Sequence, residues 1–130
     1  MIGKRFICAT SSILVANLLA GPALSEPVAY LGGWTEEAQG CSRPLAEGHL
    51  QPGEYIFGKD ARYHFEGSCR VAHVERSGSF GWKLDEVCGG SSANKARWTL
   101  SVAGDTMIAS ITRGSAKAGE PFTLKRCAAK

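Results

Sequence analysis

Two loops carry the residues best suited to meet a charged partner. Gly89-Gly90-Ser91-Ser92-Ala93-Asn94-Lys95 and Arg113-Gly114-Ser115-Ala116-Lys117-Ala118-Gly119 each place hydroxyls beside a cation on a glycine-framed segment. Ser91, Ser92, Lys95, Arg113, Ser115 and Lys117 can satisfy carboxylates through hydrogen bonds that an ionised partner strengthens. A glycosidase cleft holds two such carboxylates. Ordinary solvated turns share this composition, so the loops are candidates for a binding surface and no more.

Candidates for catalysis are few. His64 and Glu66 share a strand face by the two-residue period and could bind a metal or act as an acid–base pair, but the plainer expectation is a polar outer face. His49 falls in a loop bounded by Gly and Pro. Asp85-Glu86 and Glu36-Glu37 are adjacent in sequence, so on strands each pair splits between faces and forms no dyad. No H-E-x-x-H, G-x-S-x-G or phosphate loop occurs. The expectation is a protein that binds rather than catalyses, with no cofactor and no metal.

The start of the chain bears on where that binding happens. Lys4-Arg5, an apolar stretch from Phe6 to Ala20, a Gly21-Pro22 break and Ala23-Leu24-Ser25 have the three-part layout of a secretory signal peptide. Residues 1–25 are therefore expected to be removed on export to the periplasm or beyond, leaving one domain over 26–130. Lys4 and Arg5 are two of the 15 basic residues, so the exported chain has 13 basic against 12 acidic residues, a net charge of +1. Near-neutrality argues against a nucleic-acid partner, which calls for a basic stripe. No stretch of the exported chain is apolar enough to suggest stable membrane insertion, and a protein target is the expected partner. Cys41, Cys69, Cys88 and Cys127 then read as two disulfides in an oxidising compartment, because no C-x-x-C points to zinc.

The elements that must position the loops are short strands. After residue 26, runs alternating apolar and polar residues lie between turn signals, with no helical period of useful length. The expected strands are 29–36, 54–58, 61–66, 69–76, 80–88, 96–102, 107–112 and 121–127. Over 61–66, Tyr63 and Phe65 are expected inward, with Arg62, His64 and Glu66 outward. A three-residue loop at Ser77-Gly78-Ser79 would set Val74 opposite Trp82, Ala72 opposite Leu84 and Arg70 opposite Glu86. Across Gly104-Asp105, Trp98 would oppose Ile111, Leu100 would oppose Ala109 and Val102 would oppose Met107. In the first register Cys88 faces Ser68, so a Cys69–Cys88 bridge would need a bulge or a one-residue slip. That favours Cys41–Cys69 with Cys88–Cys127 among the three connectivities. The fold expected is all-β: a small antiparallel barrel of about eight strands, stapled by disulfides and closed so that no edge is exposed.

Gly32-Gly33-Trp34 stands on the first strand as G-x-W, and Arg126 on the last strand shares a face with Phe122 and Leu124. In this the chain resembles the calycin superfamily of lipocalin-like barrels. The resemblance implies that the first and last strands adjoin, with the Arg126 guanidinium stacked on the Trp34 indole and bonded to backbone carbonyls. The order of G-x-W, Cys41, Cys69, a Trp-containing strand ending in Cys88, a Gly-Asp turn and a terminal Arg126-Cys127 is similar to small exported alphaproteobacterial proteins. More loosely it is similar to two groups of periplasmic inhibitors, the Inh-type metalloprotease inhibitors and the lysozyme inhibitors. The function this implies is a periplasmic hydrolase inhibitor, of lysozyme first, protecting peptidoglycan by occluding the enzyme cleft. The alternatives are a metalloprotease inhibitor using Glu26-Pro27-Val28 and a lipocalin-like carrier of small ligands. Trp34, Phe57, Tyr63, Phe65, Trp82, Trp98 and Phe122 leave a carrier of about 105 residues little spare volume at native packing density.

Overall fold

The computed structural model describes residues 28–89 and 94–129. The expected signal peptide, Ser91 and Ser92 lie outside them. Eight strands run in chain order: β1 Gly32–Glu36, β2 Glu54–Phe57, β3 Ala61–His64, β4 Gly67–Ser77, β5 Gly81–Cys88, β6 Lys95–Ala103, β7 Thr106–Arg113 and β8 Phe122–Cys127. Each pairs antiparallel with the next and β8 pairs with β1, giving a closed barrel. The alternation that predicted the strands is the alternation that fills it. Along β6 every second residue (Ala96, Trp98, Leu100 and Val102) is buried while its neighbours are exposed. Trp34, Phe57, Leu84, Met107, Ala109 and Leu124 complete the core from other strands. Its aromatic rings meet edge to face, as Phe57 does with Trp98 at 5.4 Å between centroids.

The β6–β7 register has Trp98 opposite Ile111, Leu100 opposite Ala109 and Val102 opposite Met107, as its apolar faces require. The β4–β5 register differs from expectation. Its turn is Gly78-Ser79-Phe80, so Val74 faces Leu84 and Arg76 faces Trp82. Gly78 takes a φ of 68°. Arg76 folds back to donate to the carbonyls of Gly78 and Ser79, with its guanidinium 4.7 Å from the Trp82 ring. Matching apolar faces misplaces this turn because the outer half of β4 is exposed, and Val74, its one apolar residue on the inward face, fits Trp82 or Leu84 equally well. A β-bulge between Val71 and His73 then shifts the register by one, so Val71 rather than Arg70 faces Glu86.

That bulge also corrects the disulfides. Cys69 and Cys88 stand directly opposite and are bonded to each other. The second bridge is Cys41–Cys127, so neither Cys41–Cys69 nor Cys88–Cys127 forms. Cys41 anchors the long β1–β2 connection to the end of β8. Leu45 and Leu50 of that connection pack on the outside of the barrel against Ile56, Tyr63 and Cys127. This external cluster reverses the expected faces of β3. Tyr63 points outward under the connection, Phe65 lies exposed in the following turn, and Arg62 points inward, 5% exposed. Glu66 lies beyond the strand at a φ of 62°, so it shares no strand face with His64.

Candidate functional site

Antiparallel order gives the barrel two unlike ends. At one lie residues 28–31 and the β2–β3, β4–β5 and β6–β7 turns. This end is plugged. Trp34 Nε1 donates to the Tyr30 carbonyl at 2.9 Å, and Tyr30 is itself buried. Arg126 lies over the Trp34 ring with its guanidinium carbon 4.3 Å from the centroid. The same guanidinium donates to the carbonyls of Leu31 at 3.1 Å and Ala29 at 2.6 Å. Gly32 and Gly33 let this contact form. Gly32 has a φ of 116°, and a Cβ on Gly33 would stand 2.9 Å from the Cys127 carbonyl oxygen.

The other end is an open mouth bordered by the β1–β2, β3–β4 and β7–β8 connections and by the end of β5 and the start of β6. Its rim holds Lys95, Arg113, Ser115 and Lys117, all exposed. The Gly114 amide donates to the Lys95 carbonyl at 3.1 Å and the Ala116 amide to the Arg113 carbonyl at 3.0 Å, so the two cation-bearing segments are joined through backbone.

Below the rim lies a polar group that composition did not reveal. Glu86, 1% exposed, accepts from Arg62 Nε at 2.9 Å, Arg62 Nη2 at 2.8 Å and Trp98 Nε1 at 2.8 Å. The Arg62 guanidinium lies 4.6 Å from the Trp98 ring and 5.9 Å from the Tyr55 ring. Its Nη1 is 3.1 Å from His64 Nδ1. A guanidinium has no acceptor, so Nδ1 accepts and the neutral imidazole carries its proton on Nε2. Burial and the Arg62 charge both hold the His64 pKa below its usual 6.5. Burial raises the Tyr55 hydroxyl pKa, with exposed Glu36 adding to the shift. The missed signal was a shared face: Glu86 follows Trp82 and Leu84 at the two-residue period, as Trp98 precedes Leu100 and Val102, and an inward carboxylate demands a cation.

Cys69, Glu86 and Cys88 bring donor atoms within 4.8 Å of one another, a spacing that could suit a metal. Both sulfurs are bonded in the disulfide, and Arg62 and Trp98 hold the Glu86 oxygens. The cluster therefore offers no free ligand while the disulfide is intact. Fold and site together define a closed barrel with one sealed end and one polar mouth, whose border carries Lys95, Arg113 and Lys117 together with Glu37, Glu66 and Glu120. Among known proteins, the chain matches no protein-family model, no curated sequence and no solved structure.

Proposed function

We propose that the protein is an exported inhibitor of a hydrolase, lysozyme first, which seats its open end against the enzyme's cleft without chemistry of its own. The observation that carries the reading is the gathering of Lys95, Arg113, Ser115 and Lys117 on one rim, joined by the Gly114–Lys95 backbone bond. A closed barrel holds such a rim in place, which limits the ordering cost of binding. Cations and hydroxyls at that rim complement the paired carboxylates of a glycosidase cleft.

The test is lysis of peptidoglycan by c-type lysozyme in the presence of oxidised protein spanning residues 26–130. Inhibition saturating near equimolar ratio supports the reading, and Lys95→Glu or Lys117→Glu then weakens it by reversing the charge that meets the carboxylates. No inhibition at large excess removes this target.

A further inference from the structure

Inside the rim, a cavity of about 550 Å³ opens in the barrel mouth. That is the size of a small-molecule site. Tyr55, Phe65, Trp98 and Ile111 supply its apolar walls, and His64 and Arg113 reach it from opposite sides. The side chains there with polar groups to spare are His64, Arg113, Tyr55 and Ser68, and each can donate. His64 Nε2 carries a proton, since Nδ1 is taken up by Arg62. Arg113 forms no ion pair among the described residues. Tyr55 lines the same space.

The carboxylates in and beneath the cavity are held by other donors. Glu86 is held by Arg62 and Trp98. Glu54, which also lines the cavity, has both oxygens bonded, one to Arg43 Nη2 and the Gln51 amide and the other to Arg43 Nη1. Glu36 stands outside the lining. Arg113 and the protonated His64 Nε2 can only donate, and backed by aromatic rings they complement an anion with an apolar body.

We infer that the mouth is a receptor for a small amphipathic carboxylate. Arg113, His64 Nε2 and the Tyr55 hydroxyl hold its acid group, and Trp98, Tyr55 and Phe65 cover its apolar body. The inference does not depend on the hydrolase reading, because it concerns a concave site that needs no protein partner.

Phenylacetate and its neutral isostere phenylacetamide are the probes, titrated into the oxidised protein by calorimetry and followed on the His64 and Trp98 ring resonances. The expected result is one-to-one binding of phenylacetate with Kd of about 1 mM or tighter, suited to a ligand of this size. The amide binds at least about tenfold more weakly, and Arg113→Gln removes the preference. Tyr55→Phe, which keeps the wall and removes the hydroxyl, weakens the acid but not the amide. Equal binding of acid and amide would overturn the proposal. So would an unchanged preference in Arg113→Gln, no saturation by about 20 mM, or shifts centred on Lys95 and Lys117 rather than on His64 and Trp98.

Discussion

Replacing Arg62 by Met tests whether the barrel interior is organised around a buried ion pair. Arg62 and Glu86 are 5% and 1% exposed, and Arg62 gives Glu86 two of its three hydrogen bonds. Each bond to a charged group contributes about 1.5–3 kcal/mol. Removing one partner of a buried pair leaves the other charge uncompensated, at a cost of about 3–5 kcal/mol. In a domain of this size that loss lowers Tm by roughly 15–25 °C. The companion variant Arg62→Met/Glu86→Leu removes both charges, so most of the loss should return. What persists, about 1–2 kcal/mol, is the Trp98 indole N–H left without its acceptor. The assay is urea unfolding at neutral pH, followed by circular dichroism and Trp fluorescence, on both singles and the double. A loss below about 1 kcal/mol in Arg62→Met, or a double whose loss equals the sum of the singles, would refute the reasoning. Either result would mean that water reaches the pair.

Three further outcomes are expected. The His64 imidazole titrates below 6.5, because burial and then Arg62 disfavour its protonated form. The unfolded chain therefore binds the proton first, and the His64 contribution to stability, present above about 6.5, is lost as pH falls through the depressed folded value. An NMR titration of the ring checks this, and an ordinary value would show that Arg62 does not touch it. Serine at both Cys41 and Cys127 opens a bridge that spans 86 residues, at a cost of about 4–5 kcal/mol by the loop-entropy relation. Guanidinium unfolding measures the loss, and peptide mapping of the wild type should recover Cys41 joined to Cys127 and Cys69 joined to Cys88. Gly33→Ala puts a methyl 2.9 Å from a backbone oxygen and 3.2 Å from Leu45 Cδ1. The β1–β8 seam must give, and thermal unfolding should show about 1–3 kcal/mol of destabilisation.

The strand count and the β6–β7 register were legible because both depend on one strong signal, alternation with one face buried. The β4–β5 register was not, because half of β4 is exposed and an Arg76 side chain rather than an apolar match fixes the turn. The disulfides followed that error: a bulge at Ala72 moves Cys88 by one residue, and sequence does not announce bulges. At the mouth, the rim cations were legible as loop residues. Alternation assigns Arg62 and His64 to solvent because Tyr63 and Phe65 look like the buried set. Tyr63 is in fact covered from outside by Leu45 and Leu50, residues from a connection with no strand pattern to betray its packing. An apolar residue on a strand shows that something covers it, not which side the cover comes from.

The seam between β1 and β8 sets the order in which this molecule can assemble. Trp34 pairs with Arg126, and Cys41 bonds Cys127, so both closing interactions join distant parts of the chain. The six hairpins from β2 to β8 can form from neighbours, but the sheet stays open, with two free edges, until β8 finds β1. Contacts of such high sequence separation come late and slowly in folding. A chain that must cross a membrane unfolded would gain from that delay, and a chain stalled before closure would present two unpaired edges to its neighbours. Slow refolding with concentration-dependent aggregation, relieved once Cys41–Cys127 has formed, is the kinetic signature this topology carries.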